Sequence, residues 1–597
     1  MNLLRQLQAK FEQALAGLTP DPAPYVQMVK ATADPKHGDY QANCAMSLAK
    51  TLGRKPPEVA ADLKGKLQAA DMLEEPEIAG PGFLNLRLKG DWLAGQIQKM
   101  AADERLTVST IKPRTFVIDY SSPNVAKPMH VGHLRSTIIG DALARLLRFL
   151  GHKVIADNHL GDWGTQFGML IHGYKRCDEW LTAEEKARFF DDVNLMAKVY
   201  VNVQKIIASE TSPGADAEEA ESPTADACRQ ETARLHEGDP ENVALWKRLM
   251  PLCLEEIDRI YRRLDVHFDH TLGESHYNPM LPGVVAELED KGIAQESKGA
   301  IAIFFGAEDP PALIRKRDGA FTYTTTDLAT IRHRVIDWQA DAVLYVVDFR
   351  QALHFKNLFD AARRWGFDKV ELEHISFGSV LGQNKKPIKT REGGAVELGQ
   401  LLDEAVAHGR ESYEKTRADR IDRGEDVPDL SDEEIGRIAE VVGLGAVKYA
   451  DLSQNRTSDY VFSWDKMLAT DGNTATYMQY AFVRVRGIFR KGDEDPARFR
   501  TSPVKPHLET PQERQLALQL LRFEETLAAA AAEYKPNLIT DYLWNLAKAY
   551  SRFFNDCPVL KAETPMLRES RLLLCDLTAR VLEQALCLLG IQTVERM

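Results

Sequence analysis

Between residues 112 and 168 the chain reads as strand, loop, helix and second strand, and that order leaves little choice of fold. RTFVIDY, from Arg114, is an apolar strand; the helix runs from His130 to Leu150 and is ended by Gly151; KVIAD, from Lys153, is the second strand. A helix of that length joining two short apolar runs is a βαβ unit, the building block of a parallel sheet that takes its ligands at the carboxyl ends of the strands. A second α/β stretch follows from about 320 to 390, with strands near AVLYVV and VELEHISF around the helix LHFKNLFDAARRWG. Between the two halves lies a mostly helical insertion, about 175–300.

The rest of the 597 residues divides by pattern into about three or four folded units in all. Residues 1–105 read as a separate α+β unit: an amphipathic opening helix, a second helical stretch ANCAMSLAKTLGRKPPEVAADLKGKL, and a strand-like FLNLRL after Gly80, Pro81 and Gly82. From about 400 onward the periodicity is helical, with a connecting region 401–465, an all-α domain 466–597, and a break at 501–511. Seven cysteines, none in a CxxC pair, exclude a disulfide framework or a cysteine-rich zinc ribbon and point to a reducing, cytoplasmic setting. No run approaches the length of a membrane span, and the first residues lack a signal-peptide pattern.

Seventy-five basic against 88 acidic residues give a net charge of −13, which excludes a globally basic nucleic-acid binder but not a local basic face. Part of that excess is concentrated. Residues 208–227 carry Glu210, Asp216, Glu218, Glu219, Glu221 and Asp226 with no base and no large apolar side chain, and read as a disordered, dispensable surface insertion.

The most informative residues open the first crossover helix with HVGH. A helix N-terminus presents free N–H groups and a partial positive charge, a seat for phosphates. Gly132 leaves room for an adenine ring, and His130 and His133 can donate hydrogen bonds to phosphate oxygens as their charge grows in a displacement. A plain capping or core role for the two histidines stays open beside this one. A metal pair lacks a third ligand at a familiar spacing, and His267, His270 and His276 lack any cysteine or HExxH partner. GLGAVK (443–448) lies within a helical run without a third glycine, and no P-loop occurs.

HVGH matches the HIGH signature of class I aminoacyl-tRNA synthetases, and SSPNVAKPMHVGHLRSTIIGDA followed by HLGDWGTQFG resembles the arginyl members of that family. The resemblance continues through GPGFLNLRL, DGAFTYTTTDLATIRHR, GNTATYMQYAFVRVRGIFRK and NDCPVL, essentially the whole chain except the acidic segment. It implies a Rossmann-type parallel-sheet catalytic core at 106–400, an N-terminal α+β domain touching the tRNA elbow, and a C-terminal all-α anticodon-binding bundle. It also implies that Asp119, Tyr323, Asp327 and Gln351 surround a guanidinium while Asn124 meets the α-amino end. The chemistry agrees, because an obligate cation with five donors needs carboxylates and aligned acceptors.

The family's second signature, KMSKS, is not intact: NKKPIKTREGG stands there, with Lys385, Lys386, Lys389 and Arg391 as its cations. In family members that lack it, a lysine just before HIGH is thought to help; here that is Lys127. The resemblance thus implies His130, His133, Lys127, Lys386 and Lys389 as catalytic groups, with His130, Gly132, His133 and Lys389 on ATP. For RNA, aromatic and basic residues alternate over 476–491, with Tyr477, Gln479 and Arg484 expected to face outward and Phe482 and Phe489 inward. The implied substrates are Mg²⁺-ATP, L-arginine and tRNA(Arg), without a structural metal, acted on by a monomer. Three rivals remain: a nucleotidyltransferase without an RNA substrate, a noncatalytic RNA-binding paralogue, and a synthetase for another amino acid.

Overall fold

A computed structural model describes residues 2–32, 34–211, 222–306, 309–382, 384–386, 396–424, 427, 429–501 and 504–597. They form two compact units, Met1–Thr110 with Leu468–Met597, and Ile111–Met467.

The second unit is built on five parallel strands in the spatial order Glu371–His374, Ala342–Tyr345, Thr115–Asp119, Lys153–Leu160, His270–Gly273. Chain order reverses at Thr115–Asp119, whose neighbours are the strand that follows it and the one at Ala342–Tyr345, so the switch-point crevice opens at the carboxyl end of this central strand. The crossover helix Val131–Phe149 buries residues from Leu134 to Leu147 on almost every side. Gly140 lets it lie against the sheet, since a Cβ there would sit 2.2 Å from the ring of Tyr120.

Several expectations change at the edges of this unit. The insertion at 175–300 is helical through Pro240–Arg263, yet His270–Gly273 joins the main sheet as its edge strand, and Ala294–Ser297 begins a separate three-stranded antiparallel sheet. Four-residue strands are too short to display a period. The acidic segment is also shorter than its composition implies: helix Val193–Glu210 takes its start, helix Pro223–His236 its end, and Glu210 accepts hydrogen bonds from Thr224 N–H and Oγ1 at 3.0 and 2.8 Å. Residues 212–221 lie outside the described residues. Past residue 400, the two-residue strand Tyr460–Val461 pairs with Val380–Leu381 among helices. Gly443, in the discounted glycine motif, serves a helix crossing, for a Cβ would meet Ala405 O at 2.2 Å.

In the first unit, residues 1–110 do not stand alone but share one compact body with the C-terminal helices. A four-stranded antiparallel sheet, ordered Val29–Ala31, Tyr40–Ala42, Phe83–Leu86, Glu77–Ala79, is flanked by the helices of this segment. The helical stretch over 42–67 consists of two helices, Cys44–Leu52 and Pro56–Lys66, because Gly53 caps the first in the left-handed region and Pro56 starts the second. Asp39 ties the segment to the C-terminal helices: Arg514 donates to both its carboxylate oxygens at 2.8 and 2.6 Å, and Leu88 N–H donates to one of them at 2.8 Å. Among the described residues no helix is long and apolar enough to cross a membrane.

Asp39 is only 4% exposed, so removing its charge strands a guanidinium against the protein. Asp39→Ala should therefore destabilise this unit by about 3 kcal/mol, read as a lowered denaturation midpoint, with Arg514→Ala giving a comparable loss.

Candidate active site

At the switch point the register sets Asp119 beside Tyr345 on one neighbouring strand and beside Asp157 on the other. Side chains of register partners leave a sheet on the same face, so two carboxylates are brought together at the strand ends. Arg334, from helix Tyr323–Ile336, lies between them: its Nη2 donates to Asp119 Oδ2 at 2.7 Å and to Asp157 Oδ2 at 2.6 Å, and its Nε to Asp157 Oδ2 at 3.0 Å. Ser122 Oγ donates to the other Asp119 oxygen at 2.7 Å. Burial pulls the Arg334 guanidinium down, and the two carboxylates more than offset it, leaving it well above the usual arginine range. Asp119 is thus at the ligand end of its strand, as expected, but already engaged by an internal cation.

The two signature histidines close the start of the crossover helix as a reciprocal cap. His130 is the N-cap and its Nδ1 accepts from Gly132 N–H at 3.0 Å; His133 Nδ1 accepts from His130 N–H at 3.1 Å. An Nδ1 that accepts from a backbone N–H carries no proton, so each neutral ring bears its proton on Nε2. Burial, then the Lys127 charge, lowers His130; burial, His130 and Lys127 lower His133 to about 3. Both rings are therefore neutral single donors near neutral pH. The glycine between them is required by the cap itself: a Cβ on Gly132 would lie 2.7 Å from His130 Cε1.

Two segments brace this turn. Arg135, 1% exposed, donates from Nη1 to Gly378 O and Ser458 O at 2.8 and 3.0 Å and pairs through Nε with Asp451 at 3.0 Å. Val131 N–H donates to Val396 O and Leu398 N–H to Met129 O, at 3.0 and 2.8 Å. Gly378 precedes the cation-rich segment and Val396 follows it, so both its ends are tied to the signature turn. Lys386 is exposed, in a turn where Gly382 N–H donates to its carbonyl at 2.7 Å. Lys389 lies outside the described residues. Lys127 sits in the loop before the cap, its N–H on Asn124 O at 3.2 Å.

Tyr323 and Asp327 begin the helix Tyr323–Ile336 one turn apart. Tyr323 is 75% exposed. Asp327 accepts from His354 Nε2 at 2.7 Å; burial works against the His354 cation, yet this bond and the carboxylate charge raise its pKa above the ordinary value. Gln351 is exposed at the N-cap of helix Ala352–Trp365. Asn124 bridges to Gly161 in the loop beyond the second strand, and its Oδ1 accepts from Ala126 N–H at 3.2 Å. Glu274, which the sequence pattern did not flag, is pushed up to about 6 by burial, with the charges of Asp162 and Asp327 adding to the rise.

In the first unit, helix Ala475–Gly492 places Phe482 and Phe489 inside, as its periodicity predicts. Gln479 faces inward too, contrary to expectation: it is 0% exposed and its Nε2 donates to Gln592 O at 2.9 Å, a polar anchor for the chain's last residues. Tyr477 is half-buried, bonded to Ser551 Oγ at 3.1 Å and edge-on to Trp544. Arg484 lies over Tyr480 and Phe554, with its guanidinium 5.0 and 5.4 Å from the ring centres, and Lys548 lies over Trp544 at 5.1 Å. Trp544, Lys548 and Phe554 come from a distant helix, Asn537–Asp556, and no local pattern marks them.

Three family descriptions match successive parts of the chain: an arginyl tRNA synthetase N-terminal domain over residues 5–88, the catalytic domain of class I (R) tRNA synthetases over 96–464, and a DALR anticodon-binding domain over 478–597. The parallel sheet with HVGH at its switch point is accordingly that of a class I aminoacyl-tRNA synthetase. Arginine–tRNA ligases of Rhodopirellula baltica and Proteus mirabilis are 44% and 43% identical to it, each alignment covering 100% of both chains. Crystal structures of the arginyl-tRNA synthetases of Plasmodium falciparum and Thermus thermophilus superpose with TM-scores of 0.82 and 0.79 at 26% identity, covering all of this chain and 99% and 100% of theirs. The chain belongs to the arginyl-tRNA synthetase family.

A histidine held neutral in the fold binds fewer protons than it does unfolded, so its contribution is present above the ordinary value of about 6.5 and is lost as pH falls toward 3. The denaturation midpoint should therefore drop between about pH 7.5 and about pH 5 by more in the native chain than in His133→Asn.

Proposed function

We propose that the residues gathered at the switch point divide the labour of the arginine–tRNA ligase reaction as follows. Arginine's carboxylate oxygen attacks the α-phosphorus of ATP; the bond from that phosphorus to the bridging oxygen breaks, and pyrophosphate leaves. A hydroxyl of the terminal ribose of tRNA(Arg) then attacks the carbonyl carbon of the adenylate, and AMP departs. The Nε2–H groups of His130 and His133 donate to phosphate oxygens as they gain charge, from rings whose protonation does not change near neutral pH. Lys127, Lys386 and Lys389 supply point charges to the outer phosphates.

The arginine side chain is met by Asp119, Tyr323, Asp327 and Gln351, and Asn124 takes the α-amino end. Glu274 adds a further carboxyl to the same region. Among the described residues no group of three histidine, cysteine or acidic side chains is placed to hold a metal, and Mg²⁺ accompanies ATP as part of that substrate. The Tyr477, Tyr480, Arg484, Trp544, Lys548 and Phe554 face offers stacking planes and cations to unpaired bases of the anticodon loop, and residues 1–105 contact the tRNA elbow.

The observation that carries this reading is the juxtaposition, at one switch point, of neutral Nε2–H donors on a helix N-terminus with a cluster of carboxylates. Charging of tRNA with radiolabelled arginine should fall about 100-fold or more in His133→Ala and in Asp327→Ala. ATP–pyrophosphate exchange should need tRNA; exchange with arginine and ATP alone would overturn that part. Trp544→Ala should raise the KM for tRNA by about 5-fold to 100-fold, the scale of one lost stacking plane, and leave the kcat of charging in place.

A further inference from the structure

Behind the candidate arginine pocket lies a set of polar groups to which the mechanism assigns no part. Asp119 and Asp157 are register partners on adjacent strands, both buried, and the only side-chain cation shown between them is Arg334, itself 0% exposed. Arg334 stands seven residues after Asp327 on the same helix, two turns along, so the two share one helix face. The guanidinium lies 5.3 Å from the ring centre of Tyr345. Among the described residues, Asp157 Oδ1, the hydroxyl of Tyr277 and His159 Nδ1 are buried without a hydrogen-bond partner. Buried polar atoms left in this way mark places where the protein alone does not complete the site.

We infer that Arg334 is a positioning residue for amino-acid specificity: an internal guanidinium that aims the Asp119 carboxylate at the substrate. The inference rests on the reading that Asp119 faces the arginine substrate. Arg334 holds one Asp119 oxygen and Ser122 the other, which fixes the plane of the carboxylate, and each oxygen keeps a lone pair for an incoming donor. The charge balance points the same way. Two carboxylates side by side in a buried site cannot both ionise without a cation between them; one takes up a proton and turns from acceptor to donor. A substrate that brings five N–H donors and no acceptor is then refused by that oxygen. Lysine in place of Arg334 keeps the charge but loses the planar Nε–Nη2 pair that grips Asp157 while Nη2 reaches Asp119.

The test compares Arg334→Lys, Arg334→Met and Asp119→Asn in the full chain, by steady-state charging with arginine and ATP varied separately. Arg334→Lys should raise the KM for arginine by about 10-fold to 100-fold, the scale of a catalytic-site group displaced by about 1 Å, with kcat at saturating arginine and the KM for ATP within about threefold of the native chain. In Arg334→Met the KM for arginine should in addition fall as pH rises, because the proton shared by the two aspartates is lost. A purely structural role predicts instead that kcat and both KM values change together with the denaturation midpoint; that result would overturn the inference, as would an unchanged KM for arginine in Arg334→Lys. If Arg334→Met does not fold, Arg334→Lys carries the test. Asp119→Asn separates the two layers of argument: an unchanged KM for arginine there removes the reading that Asp119 faces the substrate and the inference with it, whereas a raised KM there beside a native-like Arg334→Lys overturns the inference alone.

Discussion

Two aspartates registered side by side at the end of a parallel sheet need a cation between them, and much of the architecture around the switch point follows from that need. Asp119 and Asp157 are put there by pairing of Thr115–Asp119 with Lys153–Leu160, so the conflict arises from the sheet itself. Its resolution comes from another element, the helix Tyr323–Ile336, whose Arg334 must stand over the strand ends to reach both. That helix begins at Tyr323, with Asp327 one turn along and Arg334 two turns beyond that. Burying such a trio is not a cheap route to stability, since apolar residues of similar volume commonly serve as well or better. Its value lies in specifying one arrangement of charge.

The same logic appears on the other side of the signature turn. Arg135 is buried against Asp451 and the carbonyls of Gly378 and Ser458, so one guanidinium joins the crossover helix to segments far along the chain. Behind it, Lys448 donates to the Leu264 carbonyl, and burial lowers its pKa to about 8 against the pull of Asp141. The crossover helix is therefore held by directional polar contacts as well as by apolar packing. A hydrogen-bonded guanidinium resists the sliding and rotation of the helix that an apolar interface alone allows.

What was legible in the sequence was whatever a local period or motif can carry. The strand–helix–strand order at 114–157, the inward Phe482 and Phe489, and the helical turn that carries Tyr323 and Asp327 all rest on periodicity over several residues. The edge strand His270–Gly273 has four residues and a half-exposed face, which leaves no period to read. Gln479 is polar by type but buried, because its partner is a backbone carbonyl 113 residues away. Arg334 and Arg135 escaped notice for the same reason: their partners lie 177 to 323 positions distant, and a lone arginine in a helical pattern looks like solvated surface. For the histidines, the capping role is present in the structure, and the proposed chemical role is compatible with it. The cap occupies Nδ1 of each ring and so leaves Nε2–H outside it.

The reaction asks one site to accept a cation and a polyanion at the same time, and the geometry answers by using both polarities that a βαβ unit offers. Strand ends place carboxylates in register, where their charges add, while the adjoining helix N-terminus offers free N–H groups and a partial positive charge a few residues further along the same chain. Asp119 and His130 are separated by only the loop SSPNVAKPM with its first-strand tyrosine, so the two binding surfaces are built from one short segment. A net charge of −13 is no obstacle to anionic substrates under this arrangement, because the potential that matters is set locally. Lys127 within that loop lies close enough for its charge to act on His130, whereas Asp119 and Asp157 pair across adjacent strands and Glu274 feels the charge of Asp327. The internal Arg334 belongs to the second group: its guanidinium bridges Asp119 and Asp157, and Asp119 stands eleven residues before the helix cap at His130.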